Sequence, residues 1–216
     1  QNYVDPALVN YVLQNERATF DGEEREMSVV FTDLAGFTTI SERLREKTVP
    51  LLNKYISLMV PLIREQDGFV NKFLGDGIMF FYGAPQWRDD HALQAVQTVL
   101  RMQQAIPEFN ALLEKDGLPP VKMRAGVASG MMTVGDAGGA GRSDYTVLGD
   151  TVNFAARLES ANKATGTLTL ISERTASLVR VKNLFLLRPV GKLQVVGKSE
   201  YRSEEHTSEL QSPCNL

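Results

Sequence analysis

Apolar residues repeat with two different periods along the chain, and these periods predict the order of its elements. A helical period runs from Ile40 to Ile63, and a second one runs from about Asp90 to Lys115. Pro50 and Pro61 interrupt the first stretch, so we expect a helical region in two pieces there. The second stretch predicts one long helix.

Short runs rich in β-branched and aromatic residues predict the strands. These runs cover residues 29–32, 69–74, 78–82, 121–129, 144–148, 168–171 and 185–196, with a turn and a short strand at 130–136. Two further helices are expected at 151–163 and 173–179. This order predicts an α+β fold with a mostly antiparallel sheet and with helices on one face of the sheet.

The composition is that of an ordinary globular domain. The chain has 216 residues, of which 43% are hydrophobic, and its net charge is −3. It can therefore bury one core, and it lacks the basic surplus that is typical of nucleic-acid binding, so we expect no nucleic-acid partner. A single cysteine, no signal peptide and no apolar run of bilayer length favour a cytoplasmic location.

Residues 1–25 are expected to precede the main domain. A short amphipathic helix is predicted at 6–17, and one of its faces carries Leu8, Val9, Val12 and Leu13. The charged stretch 19–27 breaks this pattern. We interpret the segment as a helix and a linker to an upstream sensor or membrane module. The alternative is a helical hairpin that packs on the domain.

Residues 202–216 are expected to lie outside the fold. The peptide from Arg202 to Ser212 is what a common sequencing-library adapter would encode if it were translated. We interpret 202–216 as an artefact of that origin, in which case Cys214 is not native and the domain covers 26–201 without its closing strand. The alternative is a natural polar tail.

The first candidate for chemistry is Asp33, which follows the apolar strand at 29–32 and precedes a glycine and a helix start. A carboxylate at this place can hold a metal ion. The turn at Gly36, Phe37 and Thr38 offers free backbone N–H groups at a helix N-terminus, which suit a phosphate. The alternative is that Asp33 only caps the helix.

A second carboxylate, Asp76, lies in the Asp-Gly turn of the predicted hairpin at 69–82. Because Asp-Gly is also a common hairpin turn, a purely structural role is the alternative for this residue. In the helix at 151–163, Asn153 and Arg157 lie one turn apart on the same face. An arginine and an amide can stabilise a phosphoryl-transfer transition state, and the alternative is a surface pair of Arg157 with Glu159.

Four ordered motifs resemble those of the class III nucleotidyl (adenylate and guanylate) cyclases over roughly residues 26–200. They are FTDLAGFT at 31–38, NKFLGDG at 71–77, RSDYTVLGD at 142–150 and TVNFAARLE at 151–159. The resemblance implies a ferredoxin-like class III cyclase domain. It also implies that Asp33 and Asp76 bind metal ions, that Lys72 reads the purine, and that Asn153 and Arg157 form the transition-state pair.

The resemblance implies an adenylate cyclase that uses ATP and two Mg²⁺ or Mn²⁺ ions per site, because two carboxylates and triphosphate oxygens suit such hard ions. Lys72 can only donate, which matches N1 of adenine and clashes with N1–H of guanine. Thr146 stands where many adenylate cyclases carry an aspartate, and a threonine there is similar to the subgroup that includes bicarbonate-responsive enzymes. We expect its hydroxyl, which can accept or donate, to discriminate less sharply than aspartate.

The resemblance further implies a head-to-tail homodimer in which each site takes residues from both chains. One departure concerns the segment 191–198, where Val196 stands in place of the family's usual phosphate-contacting lysine. Lys198 or Lys192 is the expected substitute, and a weaker affinity for the triphosphate is the alternative. The other functional alternatives are a guanylate cyclase, a catalytically silent nucleotide-binding or dimerising domain of the same fold, and a purely structural interaction module.

Overall fold

The computed structural model describes residues 9, 13, 22–138, 144–180, 184–192 and 206–211. Its sheet is built around β1 (Glu23–Ala35), which pairs antiparallel with β3 (Gly77–Tyr82) on one side and with β4 (Lys122–Asp136) on the other. The remaining strands are β2 (Phe69–Leu74), β5 (Tyr145–Leu148), β6 (Thr169–Ser172), β7 (Leu186–Lys192) and β8 (His206–Gln211).

Five α-helices cover the sheet in the described part of the chain. They are α1 (Phe37–Leu44), α2 (Thr48–Arg64), α3 (His91–Lys115), α4 (Asp150–Thr165) and α5 (Glu173–Arg180), with a short 3₁₀ turn at Arg45–Lys47 between the first two. The helical region after Thr38 is in two pieces, as predicted, but the predicted interruptions at Pro50 and Pro61 are wrong: the break lies at Arg45–Lys47, and Thr48–Arg64 continues as one helix through both prolines. None of the described helices has the length and apolar character that a bilayer crossing requires.

The strand order is β2-β3-β1-β4-β6-β8-β7, and β5 pairs with β4 off this path. All of these pairings are antiparallel except that of β4 with β6. The prediction of an α+β fold with a mostly antiparallel sheet is confirmed. The predicted hairpin around the Asp-Gly turn is confirmed as β2 and β3.

Helices lie on both faces of the sheet, so the prediction that they share one face is wrong. Val30 of β1 belongs to the core under α1, α2, α3 and α5, whereas its neighbour Val29 belongs to a second core, which contains Ala155 and Leu158 of α4. Because successive residues of a strand point to opposite faces, a strand with every position from Met27 to Val30 buried must be covered twice.

Two strands are longer than their apolar patterns predict. β1 begins at Glu23, although 19–27 was expected to be a linker, and β4 runs through 130–136 without the predicted turn. The two strands pair continuously from Glu23 with Val134 to Ala35 with Lys122. Backbone pairing of this kind tolerates the exposed, charged side chains at the outer end of β1, which hide the strand from a hydrophobicity pattern.

The chain ends differ in how far the structure describes them. Val9 and Leu13 are helical and exposed, and the rest of the predicted helix at 6–17 lies outside the described residues. His206–Gln211 forms β8 between β6 and β7, so the prediction that all of 202–216 lies outside the fold is wrong for this strand. Backbone N–H and C=O groups of a free sheet edge pair with any extended chain, whatever its side chains. The origin of the tail stays a prediction.

Helix α4 approaches β4 so closely at Gly126 that no side chain fits between them. A Cβ atom built on Gly126 would lie 2.2 Å from the Ala155 carbonyl oxygen and 2.3 Å from the Glu159 backbone nitrogen. On the same strand, a Cβ atom on Gly130 would meet only the Thr151 side chain, with its hydroxyl at 2.8 Å. Gly126 therefore sets the height of α4 above the sheet.

We expect Gly126→Ala to lower the free energy of unfolding by about 3 kcal/mol, because rigid helix backbone must move to admit the methyl group. Gly130→Ala is the matched control and should cost about 1 kcal/mol, since the Thr151 side chain can rotate away. Urea unfolding followed by circular dichroism measures both. Equal losses for the two variants would contradict the close approach of α4 at Gly126.

Candidate active site

Asp33 lies near the end of β1, opposite Arg124 of β4 in the strand pairing. The Arg124 guanidinium donates a hydrogen bond to the Asp33 carboxylate, although the two residues are 91 positions apart in sequence. Both side chains are only partly exposed. The first predicted carboxylate is thus held by a cation that no sequence motif had indicated.

Asp76 lies in the turn between β2 and β3, beside Asp33. The pairing of Thr32 with Ile78 brings this turn to the end of β1, and the Leu34 backbone N–H donates to Asp76 Oδ2 at 3.1 Å. Burial raises the pKa of the Asp76 carboxyl above its usual range, and the charge of Asp33 raises this pKa further. The two predicted carboxylates are therefore neighbours in a half-buried place.

Glu159 of α4 completes this group. Its Oε1 atom lies 3.4 Å from Nε of Arg124, which makes an ion pair, yet both atoms are buried and neither has a hydrogen-bond partner in the described part of the chain. Burial raises the pKa of Glu159, and the charge of Asp33 raises it further. The alternative in which Glu159 pairs with Arg157 is wrong, because Glu159 faces the sheet and pairs with Arg124.

We call Asp33, Asp76, Arg124 and Glu159 the carboxylate cluster. Among the described residues, no group of three or more His, Cys, Asp or Glu is arranged to hold a metal ion. Asp33 and Asp76 are neighbouring carboxylates, and such a pair fits an ion that takes further oxygens from a substrate, which is how Mg²⁺ is usually bound with phosphates. The two buried atoms without hydrogen bonds also fit a site that is completed by a ligand.

The predicted phosphate-binding turn lies directly after Asp33. Gly36 precedes α1 with a φ of 93°, a left-handed conformation that favours glycine, and no side chain caps the helix. Phe37 is buried in the core and Thr38 is exposed. The first N–H groups of α1 are thus free of side-chain caps, as an anion site at a helix start requires.

A second group of polar residues lies where β2 meets β5. The Lys72 ammonium is 3.5 Å from Oδ2 of Asp144. Asn71 Nδ2 donates to the Tyr145 carbonyl at 2.8 Å, and the Thr146 hydroxyl donates to Asn71 Oδ1 at 3.0 Å. We call Asn71, Lys72, Asp144 and Thr146 the β2–β5 cluster. It contains both residues that were predicted to read the purine.

Asn153 and Arg157 lie one turn apart on α4, as predicted. Asn153 is exposed, and Arg157 makes no ion pair or side-chain hydrogen bond with the described residues. Because helix positions rotate by about 100° per residue, Arg157 points away from the direction of Glu159, two positions later. The sheet-facing side of α4 thus serves the carboxylate cluster, and Arg157 lies on a different side.

The two clusters remain separate within one chain. No hydrogen bond or ion pair joins them among the residues that the structure describes. Of the predicted phosphate contacts, Lys198 lies outside the described residues, as does Val196, and Lys192 ends β7. Sequence reasoning missed Arg124 and Asn71, because each acts through a partner that is distant along the chain.

Comparisons with known proteins place the chain in a family. Residues 21–207 match the family described as Adenylate and Guanylate cyclase catalytic domain. Adenylate cyclase 1 of Rhizobium meliloti is 36% identical over 176 residues, which are 81% of this chain and 26% of that protein. The chain therefore spans about a quarter of the length of this relative.

Solved structures show the same architecture. The adenylyl cyclase CyaB from P. aeruginosa is 32% identical, has a TM-score of 0.79, and is matched over 91% of this chain and 99% of that one. The guanylyl cyclase Cya2 is also 32% identical, with a TM-score of 0.76 over 90% of this chain and 98% of that one. The fold is shared by cyclases of both nucleotide preferences.

We expect Asp33→Asn to lower the pKa of Asp76 and of Glu159, because the substitution removes a negative charge that raises both. The measurement is a carboxyl ¹³C NMR titration of the metal-free protein. Glu46→Gln, which removes an exposed carboxylate from the 3₁₀ turn, is the matched control and should shift neither pKa. An unchanged pKa of Asp76 in Asp33→Asn would contradict the proximity of the two aspartates.

Proposed function

The chain belongs to the adenylate and guanylate cyclase catalytic domain family, and from this premise we propose that it is an adenylate cyclase that converts ATP to 3′,5′-cyclic AMP and pyrophosphate. The observation that carries the proposal is that Lys72 contacts Asp144 while its neighbour Asn71 bonds Thr146, which brings the two expected base-reading residues to one place in a chain where Asp33 and Asp76 are also neighbours. A silent domain of this fold would not need both sets of residues.

The preference for adenine is supported by the donors and acceptors of the β2–β5 cluster. Lys72 offers only N–H donors, which suit the acceptor N1 of adenine and repel the N1–H of guanine. Guanylate cyclase activity is the second candidate, because the guanylyl cyclase Cya2 is as similar in identity as the adenylyl cyclase CyaB. A comparison of turnover with ATP and with GTP separates the two.

Asp33 and Asp76 are the residues that would hold two divalent cations, Mg²⁺ or Mn²⁺, together with oxygens of the triphosphate. When bound, these ions would acidify the ribose 3′-hydroxyl and neutralise charge on the departing pyrophosphate. Arg124 holds Asp33 in place and leaves Asp76 to accept from the Leu34 backbone. Carboxylates kept this close together need positive charge, which supports their use as ion ligands.

The remaining predicted residues have roles that follow from their chemistry. The first backbone N–H groups of α1, at Gly36, Phe37 and Thr38, would donate to the phosphates. Arg157 would neutralise charge on the pentavalent phosphorus, and Asn153 would orient the ribose. Lys198 is proposed as a further phosphate contact. Both reacting groups of the substrate are thus oriented by donors that the chain supplies.

We also propose that the active unit is a homodimer with two shared sites. Glu159 and Arg157 leave α4 in different directions, so the face that serves the carboxylate cluster of one chain cannot also present Arg157 to it. In a twofold dimer, the carboxylate cluster of one chain would meet Lys72, Thr146, Asn153 and Arg157 of the other. A monomer would contain no complete site.

The chain spans about a quarter of the length of its Rhizobium relative. We propose that an upstream sensor or membrane module controls this domain in the full-length protein. The proposed use of ATP is consistent with a cytoplasmic location for the domain itself. The signal that such a module senses is a separate question from the chemistry.

We expect Asp33→Ala and Asp76→Ala each to lower cyclic AMP formation by more than about a hundredfold, because each removes an ion ligand. Production of cyclic AMP from ATP at saturating Mn²⁺ is the measurement, with circular dichroism to confirm folding. Asp89→Ala, which removes an exposed aspartate before α3, is the matched control and should keep full activity. Normal turnover in either site variant would refute the ion assignment.

Shared sites can be tested by mixing inactive variants. We expect Asp33→Ala and Arg157→Ala proteins, each inactive alone, to regain activity together. One site of the mixed dimer takes its aspartates from the Arg157→Ala chain and its arginine from the Asp33→Ala chain, so that site is complete. Mixing Asp33→Ala with Asp76→Ala is the control and should restore nothing, because every carboxylate cluster is then damaged. If heterodimers form and the first mixture stays inactive, the shared-site dimer is wrong.

A further inference from the structure

Strand β2 contains an irregularity at Asn71, immediately before the predicted base-reading lysine. Val70 pairs with Phe80 and Lys72 pairs with Met79, so β3 has no separate partner for Asn71. In a regular strand, neighbouring side chains point to opposite faces, whereas a bulge of this kind redirects a side chain. Here Asn71 forms hydrogen bonds with Tyr145 and Thr146 of β5. Lys72 contacts Asp144, the residue before β5.

The orientation of the Asn71 amide follows from its two partners. The Tyr145 carbonyl can only accept a hydrogen bond, so the group at 2.8 Å from it must be the Asn71 NH₂. The Asn71 carbonyl oxygen must then face Thr146, whose hydroxyl lies 3.0 Å away. Since an amide oxygen only accepts, the Thr146 hydroxyl has to donate its proton to Asn71.

Donation to Asn71 changes what Thr146 can offer a ligand. A hydroxyl has one proton and two lone pairs, and here the proton is directed into the protein. Thr146 is 5% exposed, and its strand is held by the Tyr145 ring, which packs edge-on against Phe69 with centroids 5.4 Å apart. The hydroxyl therefore has little freedom to rotate, and its remaining lone pairs act as an acceptor.

We propose that Asn71 is a specificity-determining residue that makes the Thr146 oxygen an acceptor toward the base. The adenine 6-amino group can donate to this oxygen, whereas the O6 atom of guanine would place two acceptors face to face. Asn71 thus gives a neutral threonine the hydrogen-bonding character of a carboxylate. This differs from the expectation that a threonine at this place would also donate and so discriminate weakly. The inference rests on the proposed function, and it deepens the base selection of that site.

The test compares the ATP-to-GTP ratio of kcat/KM in wild type and in variants of Asn71. Asn71→Ala frees the Thr146 hydroxyl to donate to O6 of guanine. We expect the ratio to fall about tenfold, because one hydrogen bond to guanine replaces a repulsion between two acceptors. Asn110→Ala is the matched control. That amide also bonds a backbone segment, the N–H and carbonyl of Val121, but it lies on α3 and faces no base-reading residue.

Two further variants separate base selection from a structural role. Asn71→Asp keeps an acceptor for the Thr146 hydroxyl but loses the donor to Tyr145, so the ratio should stay near the wild-type value. In a Thr146→Val background, Asn71→Ala should cause no further fall, because no hydroxyl remains to be oriented. A fall of similar size in Asn71→Asp or in the Thr146→Val background would overturn the proposal, as would an unchanged ratio in Asn71→Ala.

Equilibrium binding separates failure of this inference from failure of the proposed function. Calorimetric dissociation constants for ATP and for GTP, measured with Mn²⁺, give the same ratio without turnover. A ratio that favours ATP and falls in Asn71→Ala, in a protein that forms no cyclic AMP, would support the inference and refute the cyclase activity. Turnover of ATP with an ATP-to-GTP ratio that Asn71→Ala leaves unchanged would support the cyclase activity and overturn the inference. Binding of neither nucleotide, or a wild-type preference for GTP, would overturn the inference.

Discussion

The backbone pairing of β1 with two neighbours at once is the constraint on which the rest of the structure depends. One ladder sets Thr32 beside Ile78, which brings the Asp76 turn to the end of β1, and the other sets Asp33 opposite Arg124. A slip of one residue in either ladder would send these side chains to the opposite face. The positions of the site residues therefore depend on the hydrogen-bond register of β1 with both of its neighbours.

This register has an electrostatic cost that the fold partly offsets. Asp33, Asp76 and Glu159 are carboxylates in half-buried positions, and burial together with mutual repulsion raises the pKa of the last two. Arg124 reaches two of the three and compensates part of their charge. What remains is negative charge in a place of reduced solvation, which favours a cation over water. The burial and like charge that raise the pKa of Asp76 and Glu159 thus also suit the cluster to a cation.

Helix α4 contributes to the carboxylate cluster with only one of its sides. It can approach β4 because Gly126 has no side chain, and this height brings Glu159 down to Arg124. Its other side carries Asn153 and Arg157, which make no side-chain hydrogen bond or ion pair with the described residues of their own chain. A helix that contacts the carboxylate cluster with one side and presents the proposed catalytic pair on another is consistent with our proposal of sites that are assembled between two copies. At β2, the irregularity at Asn71 lets both Asn71 and Lys72 contact β5 or the residue before it, where we propose that the base is selected.

The sequence by itself determined the features that depend on neighbours along the chain. The strand before Asp33, the Asp-Gly hairpin around Asp76, the long helix α3 and the i, i+4 pair of Asn153 and Arg157 are local patterns, and periodicity with turn chemistry is enough to predict them. The cyclase resemblance likewise rests on short motifs. These patterns led to the fold class and to most of the proposed site residues.

Only the tertiary structure decided which side chains meet. Arg124 is paired with Asp33 across 91 positions, and Asn71 meets Thr146 across 75, distances over which no periodic pattern carries information. The partner of Glu159, the second helical face of the sheet and the pairing of β8 were likewise outside local reasoning, because each depends on strand register and on backbone groups that every residue shares. Local sequence patterns therefore indicated which side chains could take part in the proposed chemistry. Long-range packing determined which partners hold them.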